Sequence, residues 1–320
     1  MHRLHYFLFF IVVILFSTCK KDLLHLQSVR QISSYSDSDQ LNKILFLNDS
    51  IGFIVGGQRF YESAILTTHD GGYTWQRKSY PMAGKALHDI VQSPSGALYT
   101  CGFDGKLLHS DDTGKTWAFD QIEYFAFTSL AFTDAAHAIV VGGVSFGSGI
   151  REYIDTFGHL LKRDSLPYQL NRIVMTSDQT GYMCGYGVMM KTTDGGKNWF
   201  FLNLQKDDFT AMDINGDEIW VCGYNGGIFH TANGGDTWTR LRNGNDITIP
   251  RYHLNSIVFK DSQHGWAAGE NGKLIYTDDA GHHWAEYDKF TNNTLRSMAF
   301  CPNGDLLVAG DNGTLFRIAP

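Results

Sequence analysis

The sequence is short of charge. Only 18 % of its 320 residues are Asp, Glu, Lys or Arg, against roughly a quarter in an average soluble domain. Acidic residues outnumber basic ones by 33 to 26, and the net charge of −7 leaves no basic excess to neutralise a phosphate backbone. That excludes a nucleic-acid binder. Proline is scarce at 6 residues while aromatics reach 14 %, a balance that excludes a disordered chain and a coiled coil. The 5 cysteines form neither a Cys-x-x-Cys pair nor a His/Cys spacing typical of zinc, so no metal and no cofactor is expected. The longest apolar run, Tyr6 to Phe16, is too short to span a bilayer at 1.5 Å per residue. What abounds is glycine, 34 residues, well above the roughly 7 % average. Glycine and aromatics with little proline suggest many short strands joined by tight turns.

The N-terminal segment stands apart. Arg3 and two histidines precede the apolar run, which ends in Leu15-Phe16-Ser17-Thr18-Cys19-Lys20-Lys21-Asp22. Small residues followed directly by Cys resemble a bacterial lipobox. The resemblance implies a lipoprotein-type signal peptide over residues 1–18, cleaved before Cys19, with Cys19 lipidated. It also implies a protein of the cell envelope whose membrane contact is made only through that lipid. The alternative is an ordinary signal peptide whose Cys19 is not modified.

Self-similarity decides the architecture. Five segments align without gaps: Thr68-His-Asp-Gly-Gly-Tyr-Thr-Trp75, Ser110-Asp-Asp-Thr-Gly-Lys-Thr-Trp117, Thr192-Thr-Asp-Gly-Gly-Lys-Asn-Trp199, Thr231-Ala-Asn-Gly-Gly-Asp-Thr-Trp238 and Thr277-Asp-Asp-Ala-Gly-His-His-Trp284. Their spacings are 42, 82, 39 and 46 residues, and a decayed copy around Asp155 and Gly158 divides the double step. The common form, Ser/Thr-x-Asp-x-Gly-x-Thr-Trp, resembles the Asp-box of the BNR repeat. A strand ending in a small residue and Gly recurs at Val55-Gly56, Cys101-Gly102, Val141-Gly142, Cys184-Gly185, Cys222-Gly223, Ala268-Gly269 and Ala309-Gly310. An opening motif of two apolar residues flanking two polar or small ones also occurs seven times, from Leu41-Asn-Lys-Ile44 to Leu295-Arg-Ser-Met298.

Units of about 40 residues hold four short strands, the size of a propeller blade. The expected fold is therefore all-β, a seven-bladed β-propeller of four-stranded antiparallel blades forming one domain over residues 19–320. Strand A follows the opening motif, B ends at the small-residue-Gly pair, C leads into the box and D starts at its Trp. The seventh unit stops at Pro320 before any box, and the alternating segment Leu24–Ile32 is expected to supply the missing strand and close the ring, since an open edge invites aggregation.

The boxes read as structural turns. Asp and Ser/Thr accept hydrogen bonds within the turn, Gly supplies positive φ, and Trp packs as a wedge. Cys101, Cys184 and Cys222 share one repeat column with Val and Ala, so buried free thiols are expected there. Ligand-contacting residues are expected at the opposite end, where the D-to-A and B-to-C loops surround the channel mouth: Arg59, Tyr61, His88, Asp89, Asn171, Arg172, Arg251, Tyr252, Asn255 and Arg296. Long loops in blades 1 and 3 and before blade 6 break the symmetry there.

The Gly-x-x-Gly pattern before a box, as in Gly223-Tyr-Asn-Gly226, and the seven units resemble the photosystem II stability and assembly factor-like family. The resemblance implies a non-catalytic scaffold, a monomer, binding a protein partner or a glycan; it does not imply photosynthesis. A glycoside hydrolase of the sialidase or xyloglucanase type is the alternative. Such enzymes need paired carboxylates or a Tyr nucleophile, and sialidases add three arginines, which the rim arginines with Tyr61, Tyr252, Glu62 and Asp89 could in principle supply. Against it, the Arg-Ile-Pro motif of sialidase domains is missing, and the order Ile249-Pro250-Arg251 does not match it.

Overall fold

The computed structural model describes residues 24, 25, 28–32, 38–122, 124–144, 146–205, 207–245 and 251–319. Residues 1–18 and Cys19 lie outside them, as do Ile249 and Pro250. The described strands form seven four-stranded antiparallel sheets, each running A-B-C-D in order along the chain except at the closing blade. Blade 1 is typical: Gln40–Phe46, Gly52–Gln58, Glu62–Thr68 and Gln76–Ser79. The innermost strands of blades 2 to 7 are Leu87–Gln92, Phe127–Phe132, Leu170–Met175, Phe209–Asn215, Leu254–Phe259 and Leu295–Phe300.

Among the described residues of the alternating segment, Val29–Gln31 forms the fourth strand of blade 7, pairing with Phe316–Ile318, while Leu24 bridges to Tyr287 of blade 6. Further contacts seal the seam. Arg317 of blade 7 donates to Asp305 at 2.6 Å and to the Gly71 carbonyl of blade 1 at 3.1 Å, and its guanidinium lies over the Tyr73 ring. Gly313 N–H reaches the Asp39 carbonyl.

The core lies between blades. Seven apolar clusters each combine side chains of two neighbours; Val55, Ile65 and Phe53 of blade 1, for example, pack with Leu87 and Ile90 of blade 2. The small residue before each strand-B Gly is fully buried in such a cluster, which explains why Val, Ala and Cys alternate in that column. Cys101, Cys184, Cys222 and Cys301 are free and buried, and burial pushes the Cys222 thiol up to about 12. Each intact box Trp enters the cluster shared with the preceding blade, as Trp75 and Trp117 do.

The paired glycine has a steric cause. A Cβ on Gly56 would stand 1.9 Å from the Gln40 carbonyl oxygen, and one on Gly185 2.1 Å from that of Gln169. Strand B meets the entry to strand A at van der Waals contact, and only Gly fits. The box turns satisfy themselves: Asp70 accepts the Tyr73 and Thr74 N–H groups and the Thr74 hydroxyl, Thr68 Oγ1 accepts the Gly72 N–H, and Trp75 Nε1 donates to the Gly72 carbonyl. Asn233 fills the same role without charge. The decayed copy keeps it too, with Asp155 accepting the His159 N–H.

Candidate functional site at the channel mouth

The polar residue of each opening motif occupies a β-bulge. Leu41 pairs with Gly56 and Lys43 with Val55, leaving Asn42 as the extra residue, and the same shift recurs at His88, Thr128, Asn171, Thr210, Asn255 and Arg296. A bulge re-aims a side chain, and here it points along the ring. Asn42 donates to the Leu87 carbonyl of the next blade at 2.7 Å, and Thr128 to Leu170 at 2.8 Å. Asn171 donates to Phe209 at 2.9 Å, Thr210 to Leu254 at 2.5 Å and Asn255 to Leu295 at 3.0 Å. His88 Nδ1 lies 2.6 Å from the Phe127 carbonyl, and burial depresses its pKa. Six latches thus link seven blades. Arg296 breaks the series at the closing seam by pairing with Asp311 of its own blade.

The next column locks the blades a second time. Ser129, Ser256 and Ser297 accept the backbone N–H of Ile173, Met298 and Ile44 on the following blade. Asp89, 1 % exposed, accepts from Leu130 N–H, Ser129 Oγ, its neighbour Ile90 N–H and Arg172, whose nearest guanidinium nitrogen is 3.0 Å away. Of the expected contact residues, His88, Asn171, Arg172, Asn255 and Arg296 come together around a channel cavity of about 350 Å³. Much of their hydrogen-bonding capacity is already committed to neighbouring blades.

The remaining expected residues are dispersed. Arg59 stacks 4.8 Å above the ring of its neighbour Phe60, and Tyr61 stands in solvent at the tip of the blade 1 loop. Arg251 is exposed, and the Tyr252 ring carries the Lys273 ammonium 3.8 Å from its centre. Arg59, Arg172 and Arg296 belong to blades 1, 4 and 7, and the latter two each hold a carboxylate of their own. Glu62 is engaged by Arg77. Among the described residues no group of three or more His, Cys, Asp or Glu is placed to hold a metal ion.

Sequence reasoning missed the aromatic rim. The residue after the strand-B Gly is Phe103, Tyr186 and Tyr224 in blades 2, 4 and 5, and the longer loops of blades 1 and 3 bring Phe60 and Phe146 to the same end. Phe146 packs 4.9 Å from Tyr186 and 6.3 Å from Tyr224, two blades away, so the blade 3 loop leans along the mouth. Tyr224 stacks on His253 of blade 6, and Phe60 lies 5.3 Å from Phe103. Phe60, Phe146, Tyr186 and Tyr224 are each 41–51 % exposed. Beside them Asp207 is buried and Asp208 half-buried, and burial lifts both above the ordinary carboxylate range. The signal was present in the repeat columns: aromatics follow the Gly in several blades, while Glu270 and Asp311 follow it in blades 6 and 7.

A ring of interlocked blades whose loops differ at one end defines a seven-bladed β-propeller built from sequence repeats. The chain belongs to the photosynthesis system II assembly factor YCF48 family, whose model matches residues 26–118 and 161–248. It is 23 % identical over 312 residues to the photosystem II stability/assembly factor HCF136 of Arabidopsis thaliana, covering 86 % of this chain and 74 % of that one. It is also 23 % identical to the photosystem II assembly lipoprotein Ycf48 of a Synechococcus strain, but over 150 residues that make up under half of either chain. A solved structure of YCF48 bound to a D1 peptide superposes with a TM-score of 0.70 at 15 % identity, covering 95 % of this chain and 99 % of the other.

Proposed function

We propose that this protein is a non-catalytic propeller that holds a protein partner across its channel mouth, carried in the cell envelope by a lipid on Cys19. The observation that carries the reading is the exposed platform of Phe146, Tyr186 and Tyr224 beside the polar channel. Aromatics on a rigid frame are the side chains that dominate binding energy at protein interfaces. The peptide complex of a YCF48 relative supports a polypeptide partner, and the lipoprotein name of the Synechococcus relative supports the anchor. The dispersed, ion-paired arginines weigh against sialidase-type hydrolysis.

A photo-crosslinking residue placed at Tyr186 and, separately, at Lys115 on the box face tests the first part in cells producing the protein. A discrete protein adduct from Tyr186 alone is expected; an adduct from Lys115 alone, or from neither, sinks the reading. For the anchor, Cys19→Ala moves the protein from the membrane to the soluble envelope fraction, and unchanged fractionation removes it.

A further inference from the structure

The channel has a second chamber, separate from the mouth. It occupies about 490 Å³ on the box-face side of blades 1 to 4, within the size range of small-molecule sites. Its walls include Leu45, Val91, Leu130, Phe132, Val174 and Met175, and its inner end is formed by Lys43, Asp89 and Arg172. Lys43 and Arg172 also line the upper cavity, so they stand at the waist between the two spaces.

Two cations, Lys43 and Arg172, and two carboxylates, Asp89 and Asp213, meet at this waist, and the carboxylates are engaged elsewhere. Asp89 is enclosed and satisfied by Arg172, Ser129 and two backbone N–H groups. The Lys43 ammonium forms no hydrogen bond or ion pair with any described residue. The groups that face it are Arg172 and Asp89 from blades 4 and 2 and Asp213 from blade 5, whose carboxylate is turned to the Phe259 N–H at 2.6 Å. His88 and Arg296 lie above, at the mouth. Lys43 is half-buried in the channel wall, and the loss of surrounding water, with Arg172 alongside, brings it down to about 8.

We propose that the lower chamber binds a small organic carboxylate with an apolar body, its head between Lys43 and Arg172 and its body against the apolar walls. The cations choose the charge and the walls choose the tail. An inorganic anion would leave the lower walls facing water, and a neutral apolar molecule would leave Lys43 unpaired.

Octanoate, titrated into the purified protein at pH 7 by calorimetry, is the probe. One saturable site is expected, weakened at least tenfold in Lys43→Met and retained within about threefold in Lys43→Arg. Lys43→Met replaces a half-buried ammonium that forms no ion pair with an apolar chain of similar length, so its melting temperature should not fall and the comparison does not depend on a fragile variant. Binding by the wild type should weaken as pH rises from 7 to 9.5, while acetate, phosphate and octanol compete poorly. The proposal is overturned by absence of saturable binding, by unchanged binding in Lys43→Met, or by acetate or phosphate matching octanoate. Phe146→Ala should leave octanoate binding intact, which separates this site from the mouth.

Discussion

The two ends of the ring use the same repeat for opposite purposes. At the box end, five turns repeat the same bonds, hydroxyl to Asp or Asn and Asp or Asn to backbone, and four of the five add indole to carbonyl, the Trp284 indole N–H being the exception. At the mouth, the bulged column is equally regular in backbone but carries Asn, His, Thr or Arg, and the loops above it differ in length and residue type. The first end shows what a repeat must keep in order to fold. The second shows what it is free to change once folding is secured, and Phe60, Phe146, Tyr186 and Tyr224 stand exposed there.

Predictions that break this comparison begin at the seam. Deleting residues 23–33 removes the closing strand and exposes the edge Phe316–Ile318; loss of a cooperative melt is expected, and an unchanged melt would refute closure by this segment. Trp75→Ala, which empties a 3 %-exposed wedge between blades 7 and 1, should cost about 3–5 kcal/mol by denaturant titration without altering partner capture. At the other end the pattern inverts. Phe146→Ala or Tyr186→Ala should weaken partner binding at least tenfold, as aromatic anchors do, while the melting temperature holds; a drop in melting temperature instead would reassign these rings to structure.

Acid sharpens the contrast. The hydroxyl and N–H of Thr116 hold the Asp112 carboxyl down to about 2, and the backbone of His264 does the same for Asp261 in the turn between the first two strands of blade 6. Because these folded-state values lie below the ordinary 3.8, their stabilisation is complete above about pH 4 and is lost as pH falls toward 2. The melting temperature should drop across that window. The smallest effect is expected for Asp112→Asn: blade 5 already uses Asn233 in this role, so the melt at pH 7 should barely move while its acid sensitivity is reduced.

Much of the fold was legible because a propeller repeats its physics in the sequence. The seven Gly columns, the opening motifs and the boxes report contacts made within a blade or to its neighbour, and such contacts impose the same residue type each time. The site was legible only in outline. His88, Asn171 and Asn255 read as free polar groups facing a channel, and only the bulge register shows them donating to the next blade. Asp89 read as a candidate carboxylate, and only packing shows it enclosed by blades 3 and 4.

By itself, then, the sequence determined the number of blades, their strand order and the turns that end strand C, since local steric and hydrogen-bonding demands recur at fixed spacing. Tertiary structure alone decided which polar side chains remain available, that Phe146 reaches Tyr224 across two blades, and that Lys43 meets Arg172 at the channel waist. Those relations join residues dozens of positions apart through the curvature of the ring, and no local periodicity records them.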